Sequence, residues 1–321
     1  MQKRIYINII KVIIILVSLW FIYRQVIVKN NFKDTMNEYR ILLEETHTWI
    51  ILSILMVMMF INWLLEAVKW QLLMSKIQKI DLALSMRATF SGITVSFFTP
   101  NRIGEFAGRI LHLRPRDRVK AAIATIVGSM NQLLITIVAG VIALLITLKG
   151  AMHDLHFLYS LICGLSVVAL TAIIILFFNI SHFYEVLHRV KFLRRMDEYI
   201  QVFSHYHAME LRNITLISLL RYLIFTSQYV LLMQLLGVDI QLTDAYRLIF
   251  LIFLVMAIVP SFAIAELSVR GSVALYFMQP LSSDSTGIVA ASFSLWFINL
   301  VIPSIIGAIT LFFVKLNKSK M

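Results

Sequence analysis

Two stretches of the sequence decide the fold: SFFTPNRIGEFAGR at residues 96–109 and PSFAIAELSVRG at residues 260–271. Each holds a proline, a glutamate five or six residues later, and an arginine four residues beyond that glutamate. Proline ends a helix because it lacks the N–H group and its ring clashes with the preceding turn. An apolar stretch precedes each proline and a short helical pattern follows it. Each segment is therefore predicted to form a helix, a break and a second helix.

The rest of the chain is strongly apolar. Of its 321 residues, 60% are hydrophobic and 14% are charged, and the mean hydropathy is +0.86. Globular domains are about 45–50% apolar and about 25% charged. This composition predicts an all-α polytopic membrane protein and excludes a soluble enzyme, a disordered regulator and a coiled coil. The single cysteine, Cys163, excludes a disulfide framework and a multi-cysteine metal site.

Six apolar stretches are long enough for a full transmembrane helix, which needs about 20 residues. They are 5–23, 48–65, 121–148, 155–178, 213–236 and 286–314. The first carries Lys11 and is followed by no small-residue cleavage site, so it is predicted to be a retained helix rather than a signal peptide. Two further stretches, 88–101 and 248–265, lead into the proline motifs and are predicted to form re-entrant helical hairpins.

The distribution of positive charge predicts the orientation. The net charge is +12, and the segments that the hairpin topology places inside hold 20 of the 29 basic residues, against seven outside. Cytoplasmic loops of membrane proteins are enriched in Lys and Arg. Both termini and residues 101–120 are therefore predicted to be cytoplasmic, and residues 149–154 and 264–285 external. In a membrane protein this positive charge is topogenic, so no nucleic-acid partner is expected.

The two proline motifs belong to an internal repeat. At an offset of 161 residues, Glu105 aligns with Glu266 and Arg109 with Arg270, and the surrounding spans keep the same offset. The halves, 1–150 and 151–321 of a single membrane domain, would each contain three full crossings and one hairpin. Because three is odd, the second half would be inverted. Inverted repeats with broken helices are typical of transporters, whose sites lie near the midplane between the repeats.

The four charged residues of the repeat need a physical reason, since an ionisable residue at the bilayer centre costs about 2.5–3.5 kcal/mol. Two interpretations remain open. The Glu and Arg of each motif, four residues apart on a helix, can simply neutralise each other. Alternatively, the hairpins meet and their charges line a water-filled path for an anionic group. Arg102, in the first break, is the predicted phosphate clamp because its planar guanidinium matches phosphate oxygens.

Other polar residues within the spans are predicted to support such a path. They are Glu66, Arg221, Asn131, Gln132, Gln228 and Asn299. The alternative for Glu66 and Arg221 is an ordinary interhelical ion pair, with Lys69 extending to the interface. The alternative for the amides is hydrogen bonding between helices. Trp63 and Trp70 fit an interfacial aromatic belt.

Enzyme chemistry has little support in the sequence. There is no H-E-x-x-H motif, and none of the eight histidines lies deep in a span to act as a base for a Ser/His hydrolase. The chain is predicted not to be an enzyme and to need no metal or cofactor.

The two motifs resemble the paired signatures of the flippase-like transmembrane domain of lysylphosphatidylglycerol synthases. NWLLEAVKW (62–70), LLRYLIF (219–225) and SLWFINLVIPSIIG (294–307) are similar to it as well, so the resemblance covers nearly the whole chain. It implies a membrane domain that moves lipid between leaflets and is located in the bacterial inner membrane. By motif position it implies the substrate-binding residues Arg102, Glu105, Arg109, Glu266 and Arg270. Bifunctional members carry a fused aminoacyl-transferase domain. None is expected in these 321 residues, so a lipid-modifying enzyme would be a separate partner.

Three functions remain open at this stage. The leading prediction is a flippase-like transporter that moves a phospholipid, or another amphiphile with an anionic phosphate headgroup, by alternating access. The second is a polyprenyl-phosphate carrier or a phosphatase-like enzyme, which phosphate release would reveal. The third is a non-transporting scaffold of a lipid- or glycan-synthesis complex, in which the hairpin charges would be dispensable.

Overall fold

A computed structural model of the protein describes residues 44–99, 103–152, 154–181, 201–259 and 263–312. Within these ranges all regular structure is helical. The helices are α1 (Thr46–Met74), α2 (Leu82–Phe97), α3 (Gly104–Ile110), α4 (Arg118–Ala151), α5 (His156–Phe178), α6 (Ala208–Leu235), α7 (Leu242–Ile258), α8 (Ala263–Met278), α9 (Ser285–Trp296) and α10 (Ile302–Phe312), with 3₁₀ turns at Pro115–Asp117 and Gln201–His205. The predicted span 5–23 and Arg102 lie outside the described residues.

Five described segments are long and apolar enough to cross a membrane. They are Thr46–Met74, Pro115–Gly150, His156–Phe178, Ala208–Leu235 and Ser285–Leu311. Each coincides with one of the predicted full spans. The prediction of an all-α, multi-pass membrane protein is therefore confirmed for the described part of the chain.

The last span differs from the unbroken helix that the sequence predicts. A π-helical turn, Phe297–Val301, separates α9 from α10. The cause lies in Pro303, whose nitrogen has no hydrogen to donate to the carbonyl of Asn299. In a π turn a carbonyl bonds to the N–H five residues later, so the carbonyl of Asn299 no longer depends on Pro303. Such turns often occur at functional sites.

Local capping sets several helix ends. The side chains of Asp81 and Asp284 each accept a backbone N–H at 2.8 Å in the first turns of α2 and α9. Gly237 follows the end of α6 and has a φ of 77°, in the left-handed region. The N–H of Val238 returns to the carbonyl of Met233 at 2.9 Å. These caps place short turns between α1 and α2, between α6 and α7, and before α9.

Close backbone approach packs the first proline motif. Helices α2 and α3 lie against each other, and a Cβ atom added at Gly108 would be 2.4 Å from the carbonyl oxygen of Ser91. Helix α10 also approaches α2 closely, since a Cβ at Gly307 would be 2.0 Å from the carbonyl oxygen of Phe90. Thr94 adds a hydrogen bond to the backbone of α10. Glycine is needed at both positions because any side chain would push the helices apart.

The helices of the two halves pack in a matching pattern. Helix α2 packs on α1, α3 and α10, and α7 packs on α6, α8 and α4. Helix α4 contacts α1 and α3, and α9 contacts α6 and α8. Helices α1 and α6 also pack on each other. The larger apolar core, which includes Leu55, Tyr229, Ile252 and Leu295, joins elements of both halves.

Candidate functional site

A cavity of about 530 Å³ lies between helices from both halves of the sequence. Side chains of α1, α4, α6, α7, α8 and α9, together with the π turn, line it. Its charged lining residues are Arg221, Glu266 and Arg270, which leave one net positive charge. Pockets of roughly 300–1,000 Å³ are typical of small-molecule sites. The cavity can therefore hold a polar headgroup.

Glu66 is the centre of a buried charge cluster beside this cavity. Lys69 contacts its Oε2 at 2.7 Å, Arg109 contacts its Oε1 at 2.7 Å, and Arg221 also bonds to Oε2. The predicted Glu66–Arg221 pair is thus present. The alternative that Lys69 extends to the interface is wrong, because Lys69 is 2% exposed. The carboxylate of Glu66 takes the place of the water that an extended lysine would contact, so the buried ammonium group remains paired.

Arg109 has a position that suits structural support. It bonds Glu105 on its own helix and Glu66 on α1, and its guanidinium lies 5.7 Å from the centre of the Trp70 ring. Its side chain is 1% exposed, and it is not among the cavity-lining residues. The first Glu–Arg pair therefore ties α3 to α1 behind the cavity wall.

Arg221 connects the charge cluster to the cavity. Its Nε donates to the backbone and side-chain oxygens of Asn62, both at 3.1 Å, and its Nη1 donates to Gln132 at 3.1 Å as well as to Glu66. Its guanidinium also lies 5.7 Å from the centre of the Trp63 ring. Asn62, Gln132 and Arg221 all line the cavity. This arrangement joins α1, α4 and α6, which belong to both halves.

The second Glu–Arg pair differs from the first because it lines the cavity. Arg270 bonds Glu266 through Nη2, and its guanidinium lies 5.8 Å and 5.7 Å from the ring centres of Phe225 and Phe253. Its Nε and Nη1 are buried and have no hydrogen-bond partner among the described residues. Two donor groups of this buried arginine are therefore without a partner in the described part of the chain.

Asn299 lies in the π turn and also lines the cavity. Its Nδ2 donates to the carbonyl of Leu295 at 3.2 Å, while its buried Oδ1 has no partner in the described structure. The side chain therefore offers one hydrogen-bond acceptor.

Two predicted supporting residues do not reach the cavity. Asn131 donates to Thr215 at 2.7 Å, and Gln228 donates to the carbonyl of Leu55 at 2.9 Å. Both join helices, as the alternative interpretation of the amides expects. The structure thus brings Arg221, Gln132, Glu266, Arg270 and Asn299 together at the cavity. It places Glu66, Glu105 and Arg109 in the neighbouring charge cluster.

An aromatic wall of the cavity was missed by sequence reasoning. Trp63, Tyr222, Phe225, Phe253 and Trp296 line the cavity. The placement of Trp63 and Trp70 in an interfacial belt is wrong, because they are 9% and 0% exposed. Their helical spacing of seven residues puts both on the face of α1 that carries Glu66, and this periodicity could have indicated a buried face.

A second feature that the sequence did not predict is a contact between Ser91 and His112. The Ser91 hydroxyl lies 2.8 Å from Nε2 of His112 and 3.1 Å from the hydroxyl of Thr310. Burial, and then the positive charge of Arg87, lower the pKa of His112, which lies between two candidate spans. A nearby cation disfavours the imidazolium that forms when a histidine acts as a base. The described residues contain no group of three or more His, Cys, Asp or Glu that could hold a metal ion.

Comparison with family models gave a match over most of the chain. Residues 8–310 match the model of the transmembrane region of lysylphosphatidylglycerol synthases. Comparison with curated proteins and with solved structures gave no match.

Proposed function

Because the chain belongs to the lysylphosphatidylglycerol synthase transmembrane-region family, we propose that it moves a phospholipid, or another phosphate-bearing amphiphile, between leaflets. The family is associated with flippase-like lipid movement. We propose further that the chain is not an enzyme. A separate lipid-modifying enzyme would supply its substrate.

The observation that carries the proposal is the cavity, whose charged lining residues sum to one positive charge. Arg221, Glu266 and Arg270 are the charged residues that line the cavity. Arg221 also pairs with Glu66, but that carboxylate is shared with Lys69 and Arg109. Charged side chains at membrane depth usually face a bundle interior or a water-filled cavity and mark substrate pathways. An anionic headgroup would neutralise the remaining charge.

The packing pattern supports an inverted repeat of residues 1–150 and 151–321. In this proposal α2 with α3, and α7 with α8, are the two re-entrant hairpins. Each neighbour of α2 has a counterpart beside α7, as a two-fold relation between the halves requires. The cavity is lined from both halves, and in transporters built from inverted repeats the site lies at that interface. Rocking of one half against the other would then give alternating access.

Charge distribution supports the proposed orientation. Both termini and residues 101–120 would face the cytoplasm of a bacterium, and the protein would reside in its inner membrane, since this arrangement places most basic residues inside. Arg102, which lies in that basic segment, would meet the headgroup of a lipid loaded from the cytoplasm.

Transport by purified protein tests the proposed function. Vesicles would contain a phospholipid with a fluorescent acyl chain, and a membrane-impermeant quencher would report how much of it reaches the outer leaflet. Wild-type protein should move label from the inner leaflet. Arg270→Gln should slow this movement about tenfold or more, because it removes the cavity charge that has free donors.

Arg247→Gln is the matched control. Arg247 pairs with Asp244 near the start of α7 and is not among the cavity-lining residues, so movement should be unchanged. Equal rates with and without wild-type protein would contradict transport. Release of inorganic phosphate from a polyprenyl phosphate in the same vesicles would favour the phosphatase-like function instead.

A further inference from the structure

Lys69 is a buried lysine that shares its carboxylate partner with two arginines. Its Nζ lies 2.7 Å from Oε2 of Glu66 and 3.5 Å from the carbonyl oxygen of Gly128, and the residue is 2% exposed. The same carboxylate binds Arg109 and Arg221. Ionisable side chains inside membrane proteins often mark ion pathways and proton relays. Lys69 therefore has the surroundings of a residue that binds and releases a proton.

Lys69 is the member of the charge cluster whose charge can change. Arginine is not deprotonated in proteins, so Arg109 and Arg221 stay positive. Glu66 accepts from three cations and Glu105 bonds Arg109, and such partners favour an ionised carboxylate. A buried lysine, in contrast, can exist as the neutral amine. The cluster can therefore gain or lose one proton at Nζ of Lys69.

The positive charge that the cavity offers to an anion depends on this proton. Among the described residues, the cluster and the cavity lining together hold three carboxylates and four cationic side chains. They are Glu66, Glu105 and Glu266, and Lys69, Arg109, Arg221 and Arg270. One net positive charge remains while Lys69 is protonated, and none remains when it is neutral. A headgroup with one negative charge is thus balanced by the proton on Lys69.

The other helices that pack on α1 add no further charge to these ion pairs in the described part of the chain. Helix α4 presents the backbone carbonyl of Gly128 to Lys69. The one charged residue of α2, Arg87, acts on His112 instead. His112 contacts Ser91 and Thr310 rather than the cluster. Protonation of His112 is therefore a separate event from protonation of Lys69.

The contact between Arg221 and Glu66 links Lys69 to the cavity. Lys69 and Arg221 both bind Oε2 of Glu66, and Arg221 also lines the cavity. Two cations on one oxygen repel each other, and an anion beside Arg221 offsets that repulsion. An anion in the cavity thus favours the protonated lysine, and by linkage the protonated lysine favours the anion to the same extent. The contact joins α1 to α6, so motion of one half against the other would change it.

Resting on the proposed transport function, we propose that Lys69 is a proton-binding site and that one proton accompanies each anionic headgroup across the membrane. On the loading side, the lone pair of neutral Nζ forms an N–H bond with a proton from water. After the halves move, that N–H bond breaks and the proton passes to water on the other side as the headgroup leaves. A lipid with one negative charge then crosses with no net charge.

The two components of an ion gradient provide the direct test. Phosphatidylcholine vesicles would contain the protein and a trace of phosphatidylglycerol with a fluorescent acyl chain, and a membrane-impermeant quencher would report its leaflet distribution at steady state. With the membrane potential abolished by valinomycin and equal K⁺, a gradient of about one pH unit should enrich the label up to about tenfold in the leaflet on the alkaline side. A K⁺ diffusion potential without a pH gradient should leave the distribution unchanged. Protein-free vesicles should respond to neither.

Lys69→Arg assigns the proton to its site. Arginine keeps the positive charge at every pH but has no proton to release. The pH gradient should then no longer redistribute the label, and the K⁺ diffusion potential should do so, because the lipid crosses without a proton. Lys76→Arg is the matched control, since Lys76 pairs with Glu210 and these side chains are 35% and 33% exposed. It should behave like the wild type.

The outcomes separate this inference from the proposed function. Wild-type protein that moves the label without any response to the pH gradient would overturn proton coupling and leave lipid movement standing. A response to the pH gradient that persists in Lys69→Arg would overturn Lys69 as the site. No protein-dependent movement under either condition would overturn both proposals. If thermal unfolding in detergent shows that Lys69→Arg is not folded, Lys69→Met takes its place and should also lose the response to the pH gradient.

Discussion

At the scale of single residues, Glu66 is held by three cationic side chains. Its carboxylate accepts from Lys69 on its own helix, from Arg109 on α3 and from Arg221 on α6. One negative charge thus holds three positive ones in a region with little water. Removing one partner from such a buried network leaves uncompensated charge, whereas an exposed ion pair contributes little.

We expect Glu66→Gln to lower the free energy of unfolding by about 3–5 kcal/mol. The three cations would lose their common partner and repel each other. Lys76→Gln is the control, because it breaks an ion pair with Glu210 in which the side chains are 35% and 33% exposed. That loss should stay below about 1 kcal/mol. Thermal unfolding in detergent measures both, and similar unfolding temperatures for the two variants would refute the role of the cluster.

At the scale of helices, the contact between α2 and α10 joins the two halves at the backbone. Gly307 lies against the carbonyl of Phe90, and Thr94 donates to the carbonyl of Ser304 at 2.7 Å. Small residues permit such close packing within a membrane, where apolar burial alone does not favour helix association. The close approach of α2 and α10 is possible because Gly307 has no side chain.

Gly307→Ala is therefore expected to lower the unfolding temperature by several degrees, since the new methyl group would overlap the backbone of α2. Gly164→Ala on α5 is the matched control, because nothing lies within 4 Å of the added Cβ. Alanine favours a helix over glycine by up to about 1 kcal/mol, so the control should be neutral or slightly stabilising. The packing argument fails if both variants unfold at the same temperature.

At the scale of the whole molecule, orientation and symmetry are linked. If both proline motifs form re-entrant hairpins, the segment after α3 faces the cytoplasm and the segment after α8 faces outward. The two hairpins then enter from opposite sides of the membrane, as alternating access between inverted halves requires. A full crossing by either motif would reverse the orientation of everything after it.

Cysteine labelling in intact cells measures this orientation. In a Cys163→Ala background, which has no other cysteine, Arg116→Cys should be protected from an impermeant maleimide and Ser283→Cys should react. Both positions are exposed, so reactivity reports on side rather than burial. External labelling of position 116 would disprove the proposed topology.

The sequence by itself determined the class of the protein and its local interactions. An apolar stretch of about 20 residues predicts a transmembrane helix wherever it folds, so five spans were predictable within the described residues. The Glu–Arg pairs of both motifs were predictable because four residues make one helical turn. The composition and the motif pattern were likewise sufficient to indicate the family.

Only the tertiary structure decided which polar residues meet. Glu66 lies 43 residues from Arg109 and 155 from Arg221, and no helical period relates such positions. The two Glu–Arg motifs are equivalent in sequence, yet one supports the wall behind the cavity and the other lines the cavity. Sequence spacing does not show which helices meet. For this reason Trp63 was wrongly predicted to lie in an interfacial belt, and the contact of Ser91 with His112 was not predicted. Periodicity specifies a face of a helix, whereas packing of the other helices determines what that face meets.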